Sequence, residues 1–180
     1  MASTKFPKTP LQDAKLRRVY AVKDFDKKGY VSTEDFLNWG KKAAAINGAE
    51  LDDEGVESWT TAGNNYFGNT NSYDEWMNHM VAFMEMFPNN YVEVSVATNV
   101  GLFKAIDHNR DGTVCIKEYK ALVTAIFPDL SEEDIRYGFN MIDENGDGVL
   151  SKEEISNAFA RYYWDEEDTK YKHFYGKWED

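Results

Sequence analysis

The stretch DHNRDGTVCIKE at residues 107–118 decides the fold of this chain, because DENGDGVLSKEE at residues 143–154 repeats its pattern. Both segments read D-x-N-x-D-G, with an apolar residue at position 8 and Glu at position 12. We name them loop 3 and loop 4, since two weaker copies of the pattern precede them. A single acidic turn of this kind could lie on any protein surface, whereas two complete copies indicate a shared role for the repeated side chains.

Each position of the pattern suits a hard divalent cation, which takes about six to eight oxygen ligands. Side chains at positions 1, 3 and 5, the main-chain carbonyl at position 7 and both carboxylate oxygens at position 12 supply these oxygens. The glycine at position 6 allows the sharp turn. The predicted ligands are Asp107, Asn109, Asp111, Thr113 and Glu118 in loop 3, and Asp143, Asn145, Asp147, Val149 and Glu154 in loop 4.

Apolar residues at helical spacing flank both loops. Phe103 and Phe139 each lie four residues before position 1, and the exiting segments continue with apolar residues four apart. Ser131 begins a capping signal ahead of loop 4, and Ser151 and Glu154 hold capping-box spacing within it. The segments therefore predict helix–loop–helix units of the EF-hand type, with short β-bridges between the apolar positions 8 of paired loops.

The same spacing of loop residues and flanking apolar residues identifies a further copy, DFDKKGYVSTED at residues 24–35, which we name loop 1. Lys28 places a cation at position 5, and Asp35 at position 12 is one methylene shorter than Glu. We therefore expect a weaker site or one that favours Mg²⁺, and the sequence is compatible with both a filled and an empty loop. Its candidate ligands are Asp24, Asp26, Lys28, Tyr30 and Asp35.

A second, degenerate copy lies at residues 64–75, loop 2, where residues 72–76 read as positions 9–13. Counting back places Asn64 and Tyr66 at positions 1 and 3 and Asn71 at position 8, with no carboxylate before Asp74. We expect no Ca²⁺ there.

The fold prediction is all-α: four EF-hand units in two compactly packed pairs, residues 1–88 and 89–180, because the intervening residues 87–91 are too short for a long tether.

The composition narrows the class of protein. The net charge is −12, which argues against nucleic acid and anionic membranes as partners, and the 15% aromatic content argues against disorder. The single cysteine, Cys115, allows no internal disulfide and is a poor ligand for a hard cation. No secretory signal and no apolar run of roughly 18 residues is visible. We expect a cytoplasmic monomer with no catalytic residues, binding two Ca²⁺ ions, or three if loop 1 fills, with Mg²⁺ as competitor.

With these loops the chain resembles the EF-hand superfamily. More narrowly, it resembles the sarcoplasmic calcium-binding protein group, which includes calexcitin-like and coelenterazine-binding proteins. The resemblance rests on Asp35 ending loop 1, the degenerate loop 2, the intact loops 3 and 4, and the tail HFYGKW at residues 173–178. It implies a compact helical protein that buffers cytosolic Ca²⁺ and Mg²⁺. Lys28 departs from the group's pattern.

Other functions stay open beside a buffer. Met77, Met80, Met84 and Met86 could form the adaptable surface of a calcium sensor that binds a partner protein. The many aromatic side chains could instead line a cavity for an apolar small molecule released by Ca²⁺. Calcium-regulated photoproteins share the architecture, but the residues aligned with their cavity histidine and its aromatic neighbour look like Phe159 and Tyr163, so the luminescent interpretation is disfavoured.

Overall fold

The computed structural model of the chain describes residues 6–66, 68–90, 92–93, 95, 103–104 and 106–178. Within that part of the chain the architecture is all-α, as predicted, with one two-stranded antiparallel sheet and one short 3₁₀ helix. The α-helices are α1 (Pro10–Tyr20), α2 (Thr33–Ile46), α3 (Asp53–Tyr66), α4 (Tyr73–Met86), α5 (Ile116–Ile126), α6 (Glu132–Ile142) and α7 (Lys152–Trp164). The strands are β1 (Val114–Cys115) and β2 (Val149–Leu150), and the 3₁₀ helix is Lys170–His173.

Hydroxyl side chains fix the starts of several helices. The Ser131 hydroxyl accepts a hydrogen bond from the Asp134 N–H, and the Ser151 hydroxyl accepts one from the Glu154 N–H, which confirms both predicted caps. Such caps satisfy main-chain donors that have no partner inside the helix. Because Ser151 is position 9 of loop 4, the exiting helix α7 begins inside the loop.

Short β-bridges join the loops in pairs. Val114 pairs with Leu150 in the β1–β2 ladder, as the apolar position 8 predicts. Val31 pairs with Thr70, whereas the sequence count places Asn71 at position 8 of loop 2. The count is wrong by one residue there because Asn71 is inserted between the bridge and the helix cap, where its N–H donates to Glu75 Oε2 at 2.7 Å.

Most residues between 91 and 105, ahead of loop 3, lie outside the described part of the chain. Residues 92–93, 95, 103–104 and 106 are helical, in agreement with the predicted entering helix. The preceding helix α4 ends at Met86, and Pro88 lies in a turn just after it. Tyr91, the last residue of the predicted connection, lies outside the described residues. No described helix combines the length and apolar character needed to cross a membrane.

The two pairs of units pack directly against each other, as the short connection predicts. Helix α2 packs on both α3 and α5, and α1 packs on α7. Lys42 Nζ donates to the Ala125 carbonyl at 3.2 Å, which links α2 with the end of α5. The Tyr162 hydroxyl donates to the Lys15 carbonyl at 3.0 Å, which links α7 with α1. The division of the chain at residue 88 stays a prediction.

The C-terminal tail completes the core. Phe174 and Tyr175 are almost fully buried, and the Tyr119 hydroxyl donates to the Phe174 carbonyl at 2.5 Å. The Lys177 N–H donates to the Asp134 carbonyl at 2.8 Å, so the tail is fixed to both α5 and α6. The tail reaches α6 at Gly138, where a side chain would stand only 2.5 Å from the His173 carbonyl oxygen.

The substitution Gly138→Ala is expected to destabilise the protein by about 1–3 kcal/mol, the usual cost of forcing atoms into a packed core. An alanine normally stabilises a helix interior by up to about 1 kcal/mol relative to glycine, so the sign is reversed by the tail. Urea unfolding measures the difference. Gly55→Ala is the control, because its new methyl group would meet only side-chain atoms, and a loss as large as that of Gly138→Ala would contradict the packing argument.

Candidate metal-binding loops

The position-1 carboxylates organise loops 3 and 4. Asp107 Oδ1 accepts from the Asp111 N–H at 3.2 Å and Oδ2 accepts from the Gly112 N–H at 3.0 Å. Asp143 Oδ2 accepts from the Gly148 N–H at 3.0 Å, which is the same position-6 donor in loop 4. Each loop therefore folds around its first carboxylate.

Positions 3 and 5 repeat this arrangement in both loops. Asn109 Oδ1 accepts from the Asp111 N–H at 3.0 Å, and Asn145 Oδ1 accepts from the Asp147 N–H at 2.8 Å. The carboxylates of Asp111 and Asp147 in turn accept from the N–H groups of the position-7 residues, at 2.9 and 3.0 Å. The two loops thus hold the same sequence of oxygen-bearing side chains against the same main-chain donors.

The position-12 glutamates join the beginning of each loop to its exiting helix. Glu118 Oε1 accepts from the His108 N–H at 2.9 Å, and its Oε2 accepts from the Cys115 N–H at 3.0 Å. Glu154 makes the corresponding bonds to the N–H groups of Glu144 and Ser151, at 2.9 and 2.8 Å. One carboxylate therefore connects position 2, position 9 and the helix that follows.

Positive φ angles close the turns. Gly112 and Gly148 at position 6 have φ of +89° and +85°, and the space beside each is open. Only glycine adopts this conformation without strain. The position-4 residues are also left-handed, with φ of +59° at Arg110 and +71° at Gly146, a requirement that the motif did not reveal. The glycine at position 4 of loop 4, Gly146, was the one feature of the sequence that indicated a left-handed conformation there.

Hydrogen bonds favour the charged form of two of the candidate ligands, Glu154 and Asp111. Burial acts to raise the pKa of Glu154, but hydrogen bonds from Ser151 and Glu144 outweigh it and lower the pKa. Hydrogen bonds from Thr113 and Asn109 lower the pKa of Asp111. Charged carboxylates, amide oxygens and main-chain carbonyls are the ligands that hard cations such as Ca²⁺ and Mg²⁺ take, so the donor set fits them. As ligands, the ten residues of loops 3 and 4 stay predictions.

Loop 1 folds in the same way despite its shorter final carboxylate. Asp24 Oδ2 accepts from the Gly29 N–H at 2.7 Å, and Asp35 accepts from the N–H groups of Phe25 at 3.0 Å and Ser32 at 2.7 Å. Carboxylate oxygens of Asp24, Asp26 and Asp35 lie within 4.8 Å of one another. The aspartate at position 12 therefore still reaches position 2 of its loop.

The Lys28 ammonium lies among these carboxylates. Its Nζ is 2.6 and 2.5 Å from the two Asp35 oxygens, 2.9 Å from Asp26 Oδ1 and 3.9 Å from Asp24 Oδ1. Burial acts to lower the pKa of Lys28, but hydrogen bonds to Asp35 and Asp26 outweigh it and raise the pKa. A protonated ammonium offers no lone pair. In this arrangement Lys28 is thus a partner of the candidate ligands and not a ligand, and Tyr30 lies beside it with its ring centroid 4.9 Å from Nζ.

Loop 2 loses its ligand geometry for a reason that the sequence count did not show. Helix α3 runs to Tyr66, so Asn64 and Tyr66, counted as positions 1 and 3, belong to a helix instead of a turn. The end of the loop keeps its expected phase, because Ser72 caps α4 by accepting from the Glu75 N–H at 3.1 Å. The unit therefore keeps its exiting helix and the cap of that helix, whereas the residues counted as ligand positions 1 and 3 are helical.

Sequence reasoning also missed a link between loop 3 and the start of α3. Arg110 forms an ion pair with Asp52, and Lys104 Nζ lies 2.7 Å from Glu54 Oε1. A cleft of about 550 Å³ lies beside these pairs and is also lined by His108 of loop 3. Position 4 of a loop carries no expected partner in the motif, so no pattern in the sequence pointed to this contact.

Comparisons with known proteins agree with the interpretation of loops 3 and 4 as a pair of EF-hand loops. A family model described as an EF-hand domain pair matches residues 100–160. Calhepatin from Lepidosiren paradoxus is 36% identical over 59 residues, which are 33% of this chain and 79% of that protein. A luciferin-binding protein from Renilla reniformis is 29% identical over 84 residues, which are 46% of each chain.

The structural likeness to known proteins extends over nearly the whole chain. The crystal structure of a coelenterazine-binding protein from Renilla muelleri, in its calcium-loaded apo form, aligns with a TM-score of 0.73 at 22% identity. The alignment covers 93% of this chain and 98% of that one, and at this identity it shows the fold alone. By sequence, the chain spans less than half the length of several curated relatives, for example 30% of a guanylyl cyclase inhibitory protein from Lithobates pipiens. The intact pair of loops, the fold and the match to calhepatin together show that the chain belongs to the EF-hand superfamily of calcium-binding proteins.

Proposed function

We propose that the chain is a calcium buffer that takes up two Ca²⁺ ions, one in loop 3 and one in loop 4, with Mg²⁺ as competitor. The observation that carries this proposal is that both loops hold the side chains of positions 3, 5 and 12 in the same hydrogen-bonded arrangement, ending in Glu118 and Glu154. Ion uptake relieves the repulsion between the carboxylates of each loop. The ion also ties the entering segment to the exiting helix through the position-12 glutamate.

A buffer fits the packing better than a sensor does. Sensors expose an apolar groove when they bind calcium, whereas buffer EF-hands barely open. Met77, Met80 and Met84 are buried in the core with at most 5% exposure, and Met86 is the exposed methionine of this helix at 71%. Three of the four methionines of α4 therefore serve as packing residues. The proposal further assigns the chain to the cytoplasm, as a monomer without catalytic activity.

Calcium titration in the presence of a hydrophobic dye tests the buffer. Calorimetry is expected to count two ions per chain, and the dye fluorescence is expected to change little, because the apolar faces stay covered. Repeating the titration in Mg²⁺ should weaken the apparent calcium affinity. A large calcium-dependent rise in dye fluorescence would instead favour a sensor, and no heat of binding at all would overturn the proposal.

A second candidate is a carrier that releases an apolar small molecule on binding calcium, favoured by the likeness to the coelenterazine-binding protein. Against it stands the filling of the aromatic interior by the tail. Phe174 packs on Phe159 with ring centroids 5.5 Å apart, and the Tyr175 hydroxyl lies 3.2 Å from that of Tyr163. The calcium-free chain is therefore expected not to retain coelenterazine through gel filtration. Retention that calcium reverses would support the carrier instead.

A further inference from the structure

We propose that Lys28 is the resident cation of loop 1: its ammonium takes the place of a metal ion among Asp24, Asp26 and Asp35 and keeps the first pair of units closed without calcium. The inference rests on the proposed function only for the number of ions that the whole chain binds. The behaviour of loop 1 can be measured separately, by amide exchange without calcium. It assigns opposite behaviour to the two halves of the chain. Loops 3 and 4 need an external ion, whereas loop 1 carries its own.

The burial of Asp35 is the first argument. Its side chain has 0% exposure, and a charged carboxylate is almost never fully buried unless it is paired. Both of its oxygens lie within 2.6 Å of Lys28 Nζ, and the remaining bonds come from Phe25 and Ser32. Among the described residues, the equivalent glutamates of loops 3 and 4 accept from main-chain donors and from no ammonium, so a bound dication would supply the positive charge there.

The position of Nζ is the second argument. It contacts carboxylates from positions 1, 3 and 12, which are three of the positions that supply ligands in an intact EF-hand loop. An incoming dication would meet a like charge at the centre of the loop, which opposes binding. To make room, Lys28 would have to leave, and because it is tethered four residues from Asp24 it competes at a high effective concentration.

The closed geometry of the loop is the third argument. Loop 1 forms the same link between positions 12 and 2 as loops 3 and 4, here from Asp35 to the Phe25 N–H. Its bridge to loop 2 is also formed, with the Val31 N–H donating to the Thr70 carbonyl at 2.8 Å and the reverse bond at 2.9 Å. In loop 2, Asn64 and Tyr66, the residues counted as positions 1 and 3, lie in helix α3. The pair therefore depends on one internal cation.

Amide hydrogen exchange in calcium-free buffer tests the resident cation directly. The Val31 and Thr70 amides are expected to be protected in the unmodified chain. They should lose at least about tenfold of that protection in Lys28→Ala, and keep it in the control Lys41→Ala, an exposed lysine of α2. Equal protection in Lys28→Ala would overturn the proposal.

Ion counting separates this inference from the proposed function. In the variant Glu118→Gln, Glu154→Gln, loop 1 is the remaining intact candidate site among the described loops, and calorimetry should find no calcium site beyond the weakened binding of loops 3 and 4. Adding Lys28→Asp should create one tight site and give protection at Val31 and Thr70 that depends on calcium. The control Lys41→Asp, with the same change in charge, should create no site and keep its protection without calcium. A tight calcium site before Lys28 is changed, or none after it, would overturn the resident cation. Absence of calcium binding to the unmodified chain would overturn the buffer while leaving the exchange result intact.

Discussion

The double variant Glu118→Gln, Glu154→Gln is expected to lose most calcium binding. Each glutamate supplies two of the oxygens in its loop, and glutamine supplies one oxygen without charge. Its NH₂ group would also face main-chain N–H donors of position 2 or 9, at Cys115 for example, where the glutamate now accepts. The affinity of each loop should fall by more than the roughly 10- to 100-fold typical of losing a partner of a ligand.

Calorimetric titration measures this loss, and Glu133→Gln with Glu153→Gln is the matched control. Both control residues are exposed, and they remove the same charge without touching positions 1, 3, 5, 7 or 12 of a loop. The control should retain two ions of nearly unchanged affinity. If the control and the position-12 variant lose affinity equally, the effect is due to overall charge and the assignment of the ligands is wrong.

Phe174→Ala is expected to cost about 3–5 kcal/mol of the free energy of unfolding, the usual range for emptying a fully buried phenylalanine site. The ring is 0% exposed and contacts Phe159, Tyr162 and Tyr175, with centroids 5.5, 6.3 and 4.8 Å away. Its removal would leave a cavity between α7 and the tail. Because Phe159 and Tyr162 are held by α7 and Tyr175 by the tail, the cavity cannot collapse without moving one of these two segments.

Urea unfolding in excess calcium measures the cost. Phe25→Ala provides the same chemical change at a side chain that is 36% exposed, and should cost less than about 1 kcal/mol. The number of calcium ions bound to folded Phe174→Ala should stay at two, because the tail supplies no predicted ligand. A cost as small as that of Phe25→Ala would show that the tail does not stabilise the core.

The loops were predictable from the sequence because the signal is local. Every residue of loops 3 and 4 that carries the motif lies within twelve positions, so spacing alone determined the helix ends and the pairing of Val114 with Leu150. The caps at Ser131 and Ser151 are local in the same sense. The cation at position 5 of loop 1 was visible too, but not its three-way contact with the carboxylates.

Features that depend on distant segments were not predictable. The close approach of the tail to Gly138 joins residues that share no periodicity, and a glycine in a helix has no preferred partner. The ion pair from Arg110 to Asp52 crosses between loop 3 and α3. The inserted Asn71 was missed because counting in fixed steps cannot detect a bridge shifted by one residue.

The contact between α1 and α7 has a consequence for how the chain folds as it is synthesised. Gln12 Nε2 donates to the carbonyl of Trp164, 152 residues further along, and Leu16 and Val19 of the same helix are fully buried. Helix α1 leaves the ribosome well before α7, so its apolar face is fully covered only after α7 has been made. Such long-range closure slows folding. A nascent chain halted before α7 would hold an exposed apolar helix, a natural target for chaperones.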